Sequence, residues 1–239
     1  MVASATVRVM SAEEIVARAA VETPYLHWPE RTTFFAAREM RLLQLSHQHT
    51  MGDFLAFVAD LAHAQQAQLG ALGAVPVPDA AAIDLASQRG LPPLPAIDWP
   101  RDPVWHGVAR SLALSVLPKA PQAAWPSLQR IGVADADFLE KQADALLTGV
   151  MAGLDLACAP VIAAALQVYW THMLLEVRRH HEGQGQPIGR LDDETVCPCC
   201  GSVPTASITR TAGESLGQRY LHCSLCGLQW HMVRIKCSH

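Results

Sequence analysis

Two pairs of cysteines carry the clearest chemistry in this chain: Cys197-x2-Cys200 and Cys223-x2-Cys226, separated by the 22 residues 201–222. A tight turn at x2 spacing brings both thiolates of a pair to one side. Two such turns on adjacent hairpins complete a tetrahedron of sulfur around a single cation. Gly201 and Gly227 each follow the second cysteine of a pair, where the turn needs a residue that tolerates positive φ. The expected cofactor is one zinc or iron ion held by four cysteines. Four thiolates suit zinc, which is redox-silent, and equally suit a single iron of the rubredoxin kind, which would make the site an electron carrier. The spacing leaves both open. A disulfide framework fits less well, because six of the seven cysteines crowd into the last 43 residues instead of stapling the whole chain.

Other reactive side chains lie nearby. Cys199 sits at x1 from Cys197, poor spacing for a shared ion, and reads as a non-ligating turn residue. The sharper alternative is a reactive thiol activated by the metal and local cations. Cys158 is expected to pack in a long helix. His222 and His231 flank the site in strands, as surface or stacking residues or as contacts to metal or substrate, and Trp230 is expected to cover the small core. His180-His181 reads as a cation pair favoured by the negative end of a helix. Cys237-Ser-His239 opens a further C-x2-C and stops one residue short, which reads as a second metal module cut short or, alternatively, as Cys237 and His239 serving in some different site. A second ion is therefore expected only in a longer chain, with Cys237 among its ligands. No G-x-S-x-G, phosphate-binding loop or G-x-G-x-x-G occurs, so no catalytic residue is expected.

The elements that position these residues divide the chain in two. Residues 1–181 read as an α-helical domain. Apolar residues recur at helical spacing in Thr33–Leu45, and Asp53 is expected to cap a helix carrying Phe54, Phe57, Val58, Leu61 and Leu69. Val104–Leu117 returns to helix. Asp137 and Glu140 suggest a capping box before a helix ending near Thr148. The strongest helix runs from Pro160 to His180, with Ile162, Leu166, Tyr169, Met173 and Val177 on its buried face. Residues 75–79 and 91–103 are proline-rich and should be extended connectors wrapping the bundle. Residues 182–195 lack apolar periodicity and read as an exposed linker. Residues 196–239 switch to a period of two, with strands at 205–210, 219–222 and 228–236 and a turn at 212–217. A lobe this small has too little core to fold unaided and needs a staple. The fold class is mostly α, followed by a small β-rich module of rubredoxin-like or zinc-ribbon type.

Composition limits the partners. Half of the 239 residues are hydrophobic and 17% are charged, which excludes a disordered or polyelectrolyte chain. Residues 1–195 hold 14 Lys/Arg against 21 Asp/Glu, while residues 196–239 hold four basic residues against Glu214 alone. Four cations beside an acidic helical part are too few for a nucleic-acid-binding ribbon, so that reading is weak. The most apolar run, 156–170, is interrupted by Pro160 and Gln167 and is too short to span a bilayer. The N-terminal residues show no apolar stretch behind a basic start, so a cytoplasmic protein is expected.

The segment CPCCGSVPTASITRTAGESLGQRYLHCSLCGLQWHMVRIKCS closely resembles the middle of the formate dehydrogenase accessory (FdhE) family. That family carries C-P-x-C-G-S-x-P, then G-x-R-Y-L-x-C-x-x-C, then W-H-x-V-R-x-K-C. GDFLAFVADLAHAQ at 52–65, GLPPL at 90–94, RDPVW at 101–105 and LQVYW at 166–170 agree as well. The resemblance implies a helical domain followed by rubredoxin-like modules built from four C-x2-C pairs. Cys197, Cys200, Cys223 and Cys226 match the first two pairs and Cys237 the start of the third; the remaining cysteines of the family pattern are absent, and Cys199 is extra. It further implies a cytoplasmic maturation factor, without catalytic turnover, that contacts the catalytic subunit of formate dehydrogenase. A redox carrier or thiol catalyst acting on that client is the alternative.

Overall fold

The computed structural model describes residues 23–182, 186–211 and 216–238. The N-terminal expectation, most of the expected turn at 212–217 and His239 lie outside the described residues. Seven α-helices occur among the described residues: α1 Phe34–Ser46, α2 Gly52–Ala71, α3 Ala80–Gln88, α4 Val104–Val116, α5 Trp125–Gly132, α6 Ala136–Thr148 and α7 Ala159–His180. Four strands, β1 Leu26–His27, β2 Pro204–Thr209, β3 Arg219–Cys223 and β4 Gln229–His231, form one antiparallel sheet in the order β1-β4-β3-β2.

The axis of the molecule is α7. Pro160 is comfortable in its first turn, where its missing N–H costs no hydrogen bond. The expected face of Ile162, Leu166, Tyr169, Met173 and Val177 is buried, and so is nearly every other position from Ala159 to Val177. Such all-round burial needs partners on every side. Helices α2, α4 and α6 pack against part of its circumference, and the cysteine-rich lobe covers much of the rest. The core is continuous from Phe35 through Trp170 to Trp230.

Several expectations change on contact with tertiary structure. The helix α6 is capped by Asp135, whose carboxylate accepts from the Phe138 amide at 2.8 Å, and not by an Asp137–Glu140 box. Glu140 instead accepts from Trp105 Nε1 at 2.9 Å and from Arg101 Nε at 2.7 Å, with His106 Nε2 at 2.6 Å. Asp53 lies inside the first turn of α2, where a negative charge suits the helix dipole, but it is not the cap. Phe54 is exposed and leaves the expected apolar stripe. The short helices α3 and α5 were hidden by flanking prolines. The expected strand at 228–236 shrinks to three residues.

The largest change concerns how the two parts meet. Strand β1, from the beginning of the helical part, is an edge of the C-terminal sheet, pairing Leu26 with Trp230 and His27 with Gln229. The 182–195 segment is not a wholly exposed linker: Pro187 and Ile188 are buried, and Gly189 lies so close to Ser87 that a Cβ would meet its Oγ at 2.5 Å. The connector at 91–103 is not extended throughout, because a turn at 96–98 is closed by Trp99 N–H to Pro95 O at 3.0 Å, and its 94–96 stretch runs against the first cysteine pair. In the run Pro92-Pro93-Leu94-Pro95-Ala96 only residues 94 and 96 have an N–H to give. Both are used, by Cys199 O and Cys200 O at 2.9 Å each.

Candidate metal centre

Each cysteine pair forms the same knuckle. The amide of Cys197 donates to Ser202 O at 2.9 Å, and the amide of Cys223 donates to Leu228 O at the same distance. Gly201 and Gly227 take φ of +74° and +76°, as the turn demands. At the second knuckle the amides of Leu225 and Cys226 donate to Cys223 Sγ at 3.3 and 3.4 Å. Backbone N–H groups aimed at a sulfur favour its thiolate form.

The two knuckles face each other. Cys197 Sγ lies 3.6 Å from Cys226 Sγ, and Cys200 Sγ lies 3.5 Å from Cys223 Sγ and 3.8 Å from Cys226 Sγ. All four sulfurs fall within 4.8 Å of one another. A tetrahedron with metal–sulfur bonds of about 2.3 Å has sulfur–sulfur edges of about 3.8 Å, so this donor set fits a zinc- or iron-sized ion. The four residues are at most 1% exposed. Burial pushes the Cys197 and Cys226 thiols well above their ordinary range. Burial also opposes a Cys200 thiolate, but hydrogen bonds from Cys197, Cys223, Cys226 and the Ser202 hydroxyl outweigh it and hold that thiol well below the ordinary range. A cation at the centre would offset the cost of charging the rest.

The helical part grips both knuckles. Leu94 and Ala96 hold the first through its carbonyls. The second is held from α7, where Gln167 Nε2 donates to Ser224 O at 2.8 Å and Thr171 Oγ1 donates to Cys226 O at 3.3 Å. Phe34, at the start of α1, lies flush against Gly227, where an added Cβ would run into the ring. None of these supporting residues stood out by residue type. Their only trace in the sequence is the prolines that leave two amides free and Gln167 and Thr171, two of the polar residues set among the apolar ones of α7.

The remaining candidates separate cleanly. Cys199 is fully buried and lies outside the group of four sulfurs. A hydrogen bond from Cys226 favours its thiolate, yet burial and the neighbouring sulfurs prevail and raise its pKa. A thiol so enclosed has no route to a substrate. Cys158 is buried at the start of α7, with burial and Asp155 pushing its thiol up to about 11. Cys237 is exposed and joins no cluster among the described residues. Trp230 is buried as expected, donating from Nε1 to Glu194 O at 2.8 Å. His231 Nε2 meets Gln218 Oε1 at 3.0 Å, and its ring lies edge-on to Tyr220 at 5.6 Å. His222 is half-buried beside Phe34, and burial with Arg38 and Arg210 lowers its pKa to about 4. Of the expected His180-His181 cation pair, His180 is exposed at the C-terminal end of α7 and His181 is buried. His181 is 2% exposed, with Asp84 Oδ1 at 3.5 Å from its Nε2.

Residues 23–185 match the family model described as FdhE, N-terminal, and residues 196–234 match that described as FdhE, central domain. A protein FdhE homolog of Pseudomonas aeruginosa is 39% identical over 216 residues, covering 90% of this chain and 68% of that protein. A protein FdhE homolog of Klebsiella pneumoniae is 35% identical over 226 residues, covering 93% of this chain and 70% of that one. The crystal structure of the FdhE protein from Pseudomonas aeruginosa superposes with a TM-score of 0.69 at 37% identity, over 90% of this chain and 72% of that structure.

Proposed function

This chain belongs to the FdhE family, and from that premise we propose that it is a maturation factor for formate dehydrogenase that acts without catalytic turnover. In this reading it works in the cytoplasm and binds the catalytic subunit of the enzyme before that subunit reaches its final place. The observation that carries the reading is the match of the helical and the cysteine-rich parts together, with the four-sulfur cluster of the second part assembled. No helix among the described residues is long and apolar enough to cross a membrane.

Cys197, Cys200, Cys223 and Cys226 would hold one zinc or iron ion. Its role is structural: the sulfurs are sealed from solvent, and the carbonyls of both knuckles are bonded to the helical part. The ion thereby fixes the lobe's orientation on α7. The division into residues 1–181, 182–195 and 196–239 then marks chain segments with different jobs, all sharing one core.

A docking surface for the client is offered by the α1–α2 hairpin. Only Phe35 of α1 is buried, and Met40, Leu43, Leu45, Met51 and Phe54 are exposed around the hairpin tip. Isolated exposed apolar side chains are ordinary, whereas five on one hairpin suit a binding surface. Co-purification tests the function. In cells making both proteins the catalytic subunit should travel with this chain, and deleting the gene should abolish formate dehydrogenase activity. Full activity in the deletion strain would refute the role.

A further inference from the structure

The outer face of the sheet carries positive charge that the four-sulfur site does not use. Register places His222 of β3, Gln229 of β4 and His27 of β1 in one cross-strand row, so their side chains share a face. The opposite face, with Leu26, Trp230 and Leu221, is buried in the core. Arg210 reaches across this outer face. Its guanidinium lies over Tyr220, 5.9 Å from the ring centroid, and Nη2 donates to Gln229 Oε1 at 2.6 Å. From the other side comes Arg38 of α1, its guanidinium 5.4 Å from the Phe34 centroid and bonded to Gln167 Oε1 at 3.2 Å. The Phe34 ring is 6.2 Å from that of His222. His222 thus has Arg38 on its Phe34 side and Arg210 on its Gln229 side.

No carboxylate pairs with Arg38 or Arg210 among the described residues; each guanidinium donates instead to an uncharged glutamine oxygen, of Gln167 and Gln229 respectively. Arg38 and Arg210 are half-buried, so water screens their repulsion only in part. Nε of Arg210 and Nδ1 of His222 are buried with no hydrogen-bond partner. Two guanidinium charges without a counter-ion and two buried nitrogens without a partner are costly in a folded protein, and an anion held there would offset both costs.

We propose that Arg38, Arg210 and His222 form a phosphate-binding site on the outer face of the sheet, taking inorganic phosphate or a phosphate monoester. Charge matching selects this ligand over a carboxylate: two permanent cations suit a group carrying about −1.5 to −2 at neutral pH better than a monoanion. Planar guanidinium forks match its oxygens, and half-buried Phe34 lies alongside to meet the organic part of an ester. The proposal is independent of the client reading above.

Calorimetry on the full chain at constant ionic strength tests it, with inorganic phosphate, ribose 5-phosphate and acetate titrated separately. Phosphate is expected to bind saturably at one site per chain and to raise the melting temperature, and acetate is not. Arg38→Gln and Arg210→Gln should each weaken phosphate binding by roughly tenfold or more and abolish the thermal shift, while circular dichroism stays native. Arg234→Gln, exposed on the same lobe, should change affinity by less than about twofold. Ribose 5-phosphate binding more tightly than phosphate marks an ester as the ligand; weaker binding marks the free ion. Absence of saturable phosphate binding overturns the proposal, as does equal binding by acetate or by the two arginine variants.

Discussion

A methyl group at Gly227 would drive into the Phe34 ring and would have to be held at φ +76°. Gly227→Ala should therefore cost about 1–3 kcal/mol, seen as a melting temperature several degrees lower, with the loss confined to the second knuckle and α1. Alanine at Gly217, which also has positive φ but open space around it, offers the comparison. The cysteines divide in the same way. Cys223→Ser removes a sulfur that receives two amide hydrogen bonds and should reduce bound metal to a small fraction. Cys199→Ser replaces a buried non-ligand by a near-isostere and should keep one ion per chain in elemental analysis. These residues were legible because C-x2-C-G is a local device whose ligands and glycine lie within five positions. Phe34 was not, since its role arises only when a residue almost two hundred positions away folds against it.

At the scale of elements, α7 and the 91–96 connector act as a cradle for the knuckles. Gln167→Leu should loosen the second knuckle by about 1–3 kcal/mol, because Ser224 O loses its donor. Hydrogen exchange should report faster exchange at 223–228 than at 197–202. The helical part has its own lock in Glu140, which ties Arg101 and α4 to α6. Burial opposes its charge, but hydrogen bonds from His106, Trp105 and Arg101 outweigh it and depress its pKa below 4.5. A carboxylate depressed on folding stabilises the protein above its unfolded pKa, and that contribution fades as pH falls through the folded value. Acid melts should thus show a loss of stability below about pH 4.5 that is smaller in Glu140→Gln. Sequence periodicity located α7, α4 and α6 because long amphipathic or apolar runs are strong signals. It misplaced the α6 cap because Glu140 was recruited by side chains from another helix. It also overextended β4, where apolar alternation continues after pairing has stopped.

For the whole molecule, the helical part and the cysteine-rich part share one continuous core. Composition made the boundary visible, since charge, cysteine content and periodicity all change near residue 195. The docking was hidden because two-residue β1 is too short to leave a pattern, and the carbonyls of the knuckles carry no sequence signature. The exposed α1–α2 hairpin is the proposed contact for the client. Met40→Glu combined with Phe54→Glu should leave the melting temperature nearly unchanged, as both side chains are more than half exposed, while co-purification of the formate dehydrogenase catalytic subunit is lost. Retention of the subunit would move the contact elsewhere on the surface.

In the proposed reading four sulfurs act as one ligand set that ties the sheet to the helices. X-ray absorption spectroscopy of the anaerobically purified chain, at the edge of whichever metal elemental analysis finds, measures this directly. One ion per chain with four sulfur neighbours at about 2.3 Å is the predicted result. A chain that folds with its sheet intact and no stoichiometric metal, or a metal bound through nitrogen and oxygen alone, would contradict it.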